Sequence, residues 1–359
     1  MALLWEKLIR PMMFRLDPEL AHELGMRVLR SGLSGSREDN QSDEKAREAF
    51  GPIRRFGLTF DNPTGLAAGF DKNAVAVEQL AGLGFGSVEV GTVTHMPQPG
   101  NPRPRIFRLP EEEALINRLG FNNDGAEAIV ERLKRLDRQK CVVGVNIGRN
   151  KDVANEDAIQ NYLQTFELVT PFADYIALNV SSPNTPDLRD LQRSENLEHL
   201  LRSLQDHNVN SVPLLVKIAP DLTEAEIDEL VHVCLRSRVS GVIATNTTVT
   251  REGIRVERAE RIGVGGLSGK PLEKLSTSVV TAVYRYSKGN LPVIGVGGIF
   301  TPADAFNKVA AGASLIQAYT GFIYQGPAFA REINRGLAAI VRERGFGSLD
   351  EAVGSGVKI

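Results

Sequence analysis

Eight short apolar runs, with helically spaced segments between them, constrain this chain more than any other feature. They are Gly65–Ala68, Ser87–Gly91, Cys141–Ile147, Tyr175–Val180, Pro213–Ile218, Gly241–Thr245, Pro292–Val296 and Ser314–Ala318. Within them Val, Ile, Leu and Ala run on continuously instead of alternating with polar residues, the pattern of parallel strands covered on both faces. Between them, Thr223 followed three residues later by Glu226 marks a capping box, and Thr301-Pro302 opens a helix that Gly312 ends. Eight such units close into a (β/α)8 (TIM) barrel of the α/β class; an open doubly wound sheet is the other arrangement this pattern allows. The 359 residues exceed the ~250 of a typical barrel by roughly a hundred. That predicts one large domain with an appendage rather than two equal halves.

Two regions fall outside the repeat. Between the second and third runs, Thr92 to about Asn123 carries Pro97, Pro99, Pro102, Pro104 and Pro110, so it is expected to be extended or turn-rich. The other is an amino-terminal extension over residues 1–45, followed by the barrel over 46–345 and a tail over 346–359. In the extension, Ala2–Leu16 mixes apolar residues with Lys7, Arg10 and Arg15, too short and too interrupted to span a bilayer or to serve as a signal peptide. Asp17-Pro18 then caps a second helix running to about Arg30, and the polar Ser34–Arg47 stretch reads as a linker. Two amphipathic helices with basic flanks suit either an interfacial membrane contact or a hairpin packed on the barrel's flank.

Composition removes several function classes. The formal net charge is −2, and basic and aromatic residues do not interleave, so nucleic acid is not an expected partner. The histidines (His22, His95, His199, His207 and His232) show no ligand spacing with cysteine or acid, so no metal is expected. Cys141 and Cys234 sit in no motif and read as free thiols.

Chemistry-bearing residues gather where the runs end. Gly295, Gly297 and Gly298 follow the seventh run and Tyr319-Thr320-Gly321 the eighth, the usual phosphate grip of barrel enzymes. Gly265-Gly266-Leu267-Ser268-Gly269, in the preceding loop, offers further backbone donors. Lys217 stands inside the fifth run and calls for an anionic partner, while Lys72 follows the first run at the same face. Asn117, Asn146, Asn179, Asn184 and Asn246 lie at run ends or in adjoining loops. Their paired donors and acceptors suit a ring with C=O and N–H edges, such as a pyrimidine. Ser182 is followed by Pro183, with no histidine beside it and no glycine elbow, which argues against acyl-enzyme chemistry.

Taken together, Ala67-Ala68-Gly69-Phe70-Asp71-Lys72, Asn117-Arg118-Leu119-Gly120-Phe121, Asn179-Val180-Ser181-Ser182-Pro183-Asn184-Thr185 and Gly265-Gly266-Leu267-Ser268-Gly269 closely resemble the dihydroorotate dehydrogenases of the quinone-linked class (class 2). The likeness extends from Leu16 to Gly321. It implies oxidation of dihydroorotate to orotate in pyrimidine biosynthesis, with one FMN per chain as hydride acceptor and a membrane quinone as final acceptor. The flavin set it implies is Ala68, Gly69, Lys72, Thr92, Asn146, Asn179, Lys217 and Thr245, with Gly269, Gly298, Tyr319 and Thr320 at the phosphate. The substrate set is Lys72, Asn117, Arg118, Leu119, Gly120, Phe121, Asn179, Asn184, Asn246 and Thr247. Ser182 matches the family's catalytic base, a position where soluble relatives carry cysteine, with Thr185 as its expected proton relay through a water. Residues 1–32 would form an apolar quinone mouth with His22, Arg108 and Tyr319 as polar contacts. The resemblance places the protein peripherally on the cytoplasmic face of a bacterial inner membrane, with no obligate protein partner. A barrel reductase of tRNA uridines and a non-enzymatic phosphate-binding barrel docked on membranes are the rival readings.

Overall fold

The computed structural model describes residues 4–32, 40–138 and 140–358. The eight runs are the eight strands of a closed, wholly parallel barrel: β1 (Thr64–Leu66), β2 (Ser87–Val93), β3 (Val142–Ile147), β4 (Tyr175–Asn179), β5 (Leu214–Ile218), β6 (Gly241–Ala244), β7 (Val293–Val296) and β8 (Ala313–Ala318). They follow one another around the ring in chain order, and β8 pairs with β1 to close it. Every residue of each of these strands is buried, as continuous apolar runs between a filled interior and a helical jacket require.

Local signals set the helices. In the extension, α1 (Pro18–Arg30) is capped by Asp17, whose Oδ1 accepts from the N–H groups of Glu19 (2.9 Å) and Leu20 (3.1 Å). A shorter helical segment precedes it, π-helical over Trp5–Ile9 and α-helical over Arg10–Met13. Trp5 lies flat on Gly326, where any Cβ would collide with the indole, and donates Nε1–H to the Tyr324 carbonyl at 2.9 Å. The expected linker differs. Residues 34–39 lie outside the described residues, but α2 (Asn40–Phe50) is a helix whose Ala46, Ala49 and Phe50 are buried. Spacings of three and four bury that stripe against helix Phe329–Glu343, which a polar average conceals.

The predicted capping box forms at Thr223 before α3 (Glu224–Arg236); after α4 (Glu273–Tyr286), the helix expected from Thr301-Pro302 forms as α5 (Pro302–Ala310), and a second box, Thr301 with Asp304, caps it. The tail packs on the barrel: Gly354 and Gly356 donate their N–H groups to the carbonyls of Val309 and Ala310. The proline-rich insertion is extended. Its strands Ile106–Leu109 and Ala114–Asn117 form a hairpin, joined antiparallel by Gly266–Gly269 into a three-stranded ribbon over the mouth. Gly265–Gly269, expected as a loop of free donors, is therefore largely spent on strand pairing.

Candidate functional site

The floor of the site is polar. Glu89, Tyr175 and Gln317 come from β2, β4 and β8, and Asn146 and Lys217 from β3 and β5, the odd–even alternation of barrel layers. Glu89 has no exposed surface. Its Oε2 accepts from Tyr175 Oη–H (3.0 Å) and Gln317 Nε2–H (2.8 Å), its Oε1 from Asn146 Nδ2–H (2.9 Å), and Lys217 Nζ stands 3.5 Å from Oε1. Gly144 makes the room, since a Cβ there would sit 2.1 Å from Tyr175 Cζ. Burial and the Glu89 charge push the Tyr175 phenol well up, so it stays a donor. Glu89 is thus the anionic partner Lys217 called for. An acid inside the apolar run Ser87-Val88-Glu89-Val90-Gly91 carries the same signal as that lysine.

Above this floor one pocket opens at the carboxyl ends of the strands. Ala68, Gly69, Lys72, Thr92, Asn179, Lys217 and Thr245 line it, with Gly269, Gly298, Tyr319 and Thr320 at one side. Ser182, Asn184, Asn246 and Thr247 enter from the loops after β4 and β6, and Asn117, Leu119, Gly120 and Phe121 from the ribbon and the turn after it. Two expected residues are not on the lining. Asn146 is wholly buried one layer down, where its Oδ1 accepts from Thr92 Oγ1 (2.6 Å) and Asn179 Nδ2 (3.3 Å) and so fixes two residues that do face the pocket. Arg118 turns away: its Nη1 donates to the carbonyls of Ile262 (2.8 Å) and Val264 (2.7 Å), and the guanidinium stacks over Phe107. Neighbours along an extended segment face opposite ways, so Asn117 and Leu119 point in while Arg118 points out.

The amides interlock. Asn184 Nδ2 donates to Asn117 Oδ1 (3.3 Å), and Asn246 Nδ2 to Asn179 Oδ1 (3.1 Å) and Ser181 Oγ (3.0 Å). Ser182 is buried, its Oγ accepting the Asn184 N–H at 3.2 Å. Thr185 is also buried but off the lining. Arg189, unremarked in the sequence because it looks like a surface residue, ties two of these loops together. It donates to Ser181 O and Thr247 O while its Nη1 pairs with Asp221 at 3.0 Å. Burial pushes the Lys72 ammonium down to about 8, opposed by Glu19 and Asp71 and reinforced by Arg105.

A second chamber of about 730 Å³ lies between the extension and the barrel and shares Lys72, Leu119 and Tyr319 with the first pocket. Trp5, Ile9, Phe14, Ala21 and Met26 make much of its wall. His22, edge-on to Phe70, is pushed down to about 3 by burial and the neighbouring Lys72, so it is a neutral imidazole. Burial holds the Tyr319 hydroxyl up at about 12. Arg108 borders the chamber, but its terminal nitrogens already donate to the carbonyls of Met13 and Leu16. Glu19 on α1 receives Arg105 through two nitrogens, which locks the extension to the ribbon. Outside, Leu4, Leu8, Met12, Leu20 and Val28 face solvent as an apolar strip, and among the described residues no helix is long and apolar enough to cross a membrane.

The donor set fits a flat, phosphorylated ring. Ala67, Ala68, Val296 and Ala318 give the first pocket apolar surface, with Lys217, Asn179 and Thr92 supplying polar groups at its floor. Among the described residues, the N–H of Gly298, which lines the pocket, has no acceptor. Among the described residues no cluster of three or more His, Cys, Asp or Glu could hold a metal.

Comparison with known proteins identifies the family and the fold. The family model described as "Dihydroorotate dehydrogenase" matches residues 53–341. The chain is 48% identical over 360 residues to a "Dihydroorotate dehydrogenase (quinone)" of Anaeromyxobacter dehalogenans, covering 98% of this chain and 97% of that one. A protein of the same description from Gloeobacter violaceus is 48% identical over 354 residues, covering 97% and 98%. The ligand-free DHODH structure from Eimeria tenella superposes with a TM-score of 0.86 at 40% identity, over 96% of this chain and all of that one.

Proposed function

Since the chain belongs to the dihydroorotate dehydrogenase family, in the quinone-dependent class that serves pyrimidine biosynthesis, we propose that FMN and dihydroorotate share the first pocket and that quinone enters through the second chamber. The observation that carries this reading is the meeting of both chambers at Lys72, Leu119 and Tyr319, so that electrons delivered in one are within reach of the other. FMN, when bound, supplies at N5 the acceptor for the hydride that leaves C6 of dihydroorotate.

The remaining work falls to this chain's side chains. Lys217, Thr92, Asn179 and Thr245 would hold the ring system's polar edge, with Lys217 favouring negative charge there. Gly269, Gly298, Tyr319 and Thr320 would hold the phosphate. The interlocked amides Asn117, Asn179, Asn184 and Asn246 would meet the C=O and N–H edges of dihydroorotate, and Lys72 its carboxylate. Ser182 would take the proton from C5. A serine hydroxyl is a poor base near neutral pH and must pass that proton on, which gives Thr185 its role. Valine at position 185 is therefore expected to slow flavin reduction while FMN stays bound; an unchanged rate would remove Thr185 from the relay. The apolar strip of the extension would rest on the membrane surface from which quinone is drawn.

A pH dependence follows from Lys72. Its ammonium is charged below about 8 and neutral above, and only the charged form pairs with a carboxylate. The KM for dihydroorotate should stay level up to about pH 8 and then climb, towards a tenfold rise for each further pH unit. A KM that stays flat to pH 10 would assign the carboxylate to another partner.

A further inference from the structure

One buried charge has no part in that mechanism. Lys308, on α5, has no exposed surface, and its Nζ donates to Glu273 O (3.1 Å), Thr277 Oγ1 (2.6 Å) and Ser276 Oγ (2.5 Å). Three donors meet three neutral oxygens, so the ammonium is saturated, yet none of these acceptors is a carboxylate. Glu273 and Asp304 act on it only through space, and Asp304 Oδ2 accepts from the N–H groups of Phe300 and Thr301. A cation held this way is costly to bury. Its place makes the cost larger, because all three acceptors belong to the first turn or so of α4, the positive end of a helix dipole. Burial accordingly pushes the Lys308 ammonium down to about 7. Among the described residues, no carboxylate hydrogen-bonds this ammonium.

The first pocket lies just beyond this turn. Ser276 accepts from Lys308 and shares its own proton between Glu273 O (3.1 Å) and Gly297 O (3.2 Å). In a trans peptide the C=O and N–H point in opposite directions. With the Gly297 carbonyl turned back to Ser276, which is off the pocket lining, the Gly298 N–H points away from Ser276, and Gly298 itself lines the pocket. The loop is pressed hard on the same turn: Gly298 has φ +73°, and a Cβ there would lie 2.3 Å from Glu273 Cα. Gly295 is bare beside the lysine stem, its would-be Cβ only 3.5 Å from Lys308 Cβ.

We propose that Lys308 is a positioning residue for the phosphate of the flavin cofactor: through Ser276 and the first turn of α4 it sets the Gly297–Gly298 peptide with its N–H towards the phosphate, and its buried charge completes the grip from behind. Lys308 touches neither the phosphate nor the reacting atoms. The inference rests on FMN occupying the first pocket.

The test compares FMN with riboflavin, which has the same ring and no phosphate. The full-length chain, freed of flavin, is titrated with each by quenching of flavin fluorescence, for the parent protein, Lys308→Met and Ser276→Ala. Lys308→Met should weaken FMN by about tenfold to a hundredfold and leave riboflavin unchanged. Ser276→Ala should show the same contrast to a smaller degree, and it decides the matter if Lys308→Met does not fold. Thermal unfolding adds a second readout. Without flavin, Lys308→Met should be at least as stable as the parent, because an uncompensated charge has gone. With FMN it should gain less stability than the parent does. Equal losses for both flavins, or no loss for either, would overturn the role of Lys308. Failure of the parent chain itself to bind FMN would instead overturn the reading on which the inference rests.

Discussion

Ser182→Ala is expected to slow bleaching of the bound flavin by dihydroorotate by about 10²- to 10⁴-fold while leaving FMN in place. The hydroxyl is buried, and its oxygen is held by the Asn184 N–H in a loop stiffened by Pro183. Around it the amides are already interlocked, so removing one oxygen leaves the pocket's shape and its other contacts intact. The loss should therefore appear in the rate of the reductive half-reaction and little in the affinity for orotate. Rapid mixing without oxygen separates the two. A variant that bleaches at the parent rate would show that the C5 proton leaves by another route.

Deleting residues 1–32 is expected to cut quinone-dependent turnover by about a hundredfold or more, because quinone then loses the wall that places it beside the flavin. Reduction of the flavin by dihydroorotate should persist within severalfold, since no described residue of the extension lines the first pocket. The truncation also removes Glu19, the carboxylate that Arg105 binds, and uncovers Phe70 and Phe322, so a lower melting temperature is expected as well. A soluble dye acceptor distinguishes the cases. Dye-linked turnover that survives while quinone-linked turnover collapses supports the chamber as the quinone path. Full quinone turnover by the truncated protein would refute it.

Much of this architecture was legible because its signals are local. Parallel strands buried on both faces leave unbroken apolar runs, and capping residues mark their own helices, so β1–β8, α1, α3 and α5 are seen from the sequence. What escaped depends on pairing between distant segments. Gly266–Gly269 reads as a glycine loop until Ala114–Asn117 is found beside it, some 150 residues earlier. Arg118 belongs to a motif, but only the strand direction shows that it faces Phe107 rather than the pocket. Conversely, α2 hides a three-residue apolar stripe in a polar segment. The rival readings fared differently. A tRNA reductase and a non-enzymatic barrel both give way to the match over residues 53–341 and to relatives that align along nearly their whole length.

The most direct test of the central claim is a single anaerobic titration: the full-length protein loaded with FMN is mixed with dihydroorotate while flavin absorbance and orotate are followed together. The oxidised flavin band should be lost with one orotate formed per flavin, and should return when quinone is added. Flavin that stays oxidised in the presence of excess dihydroorotate would contradict that claim.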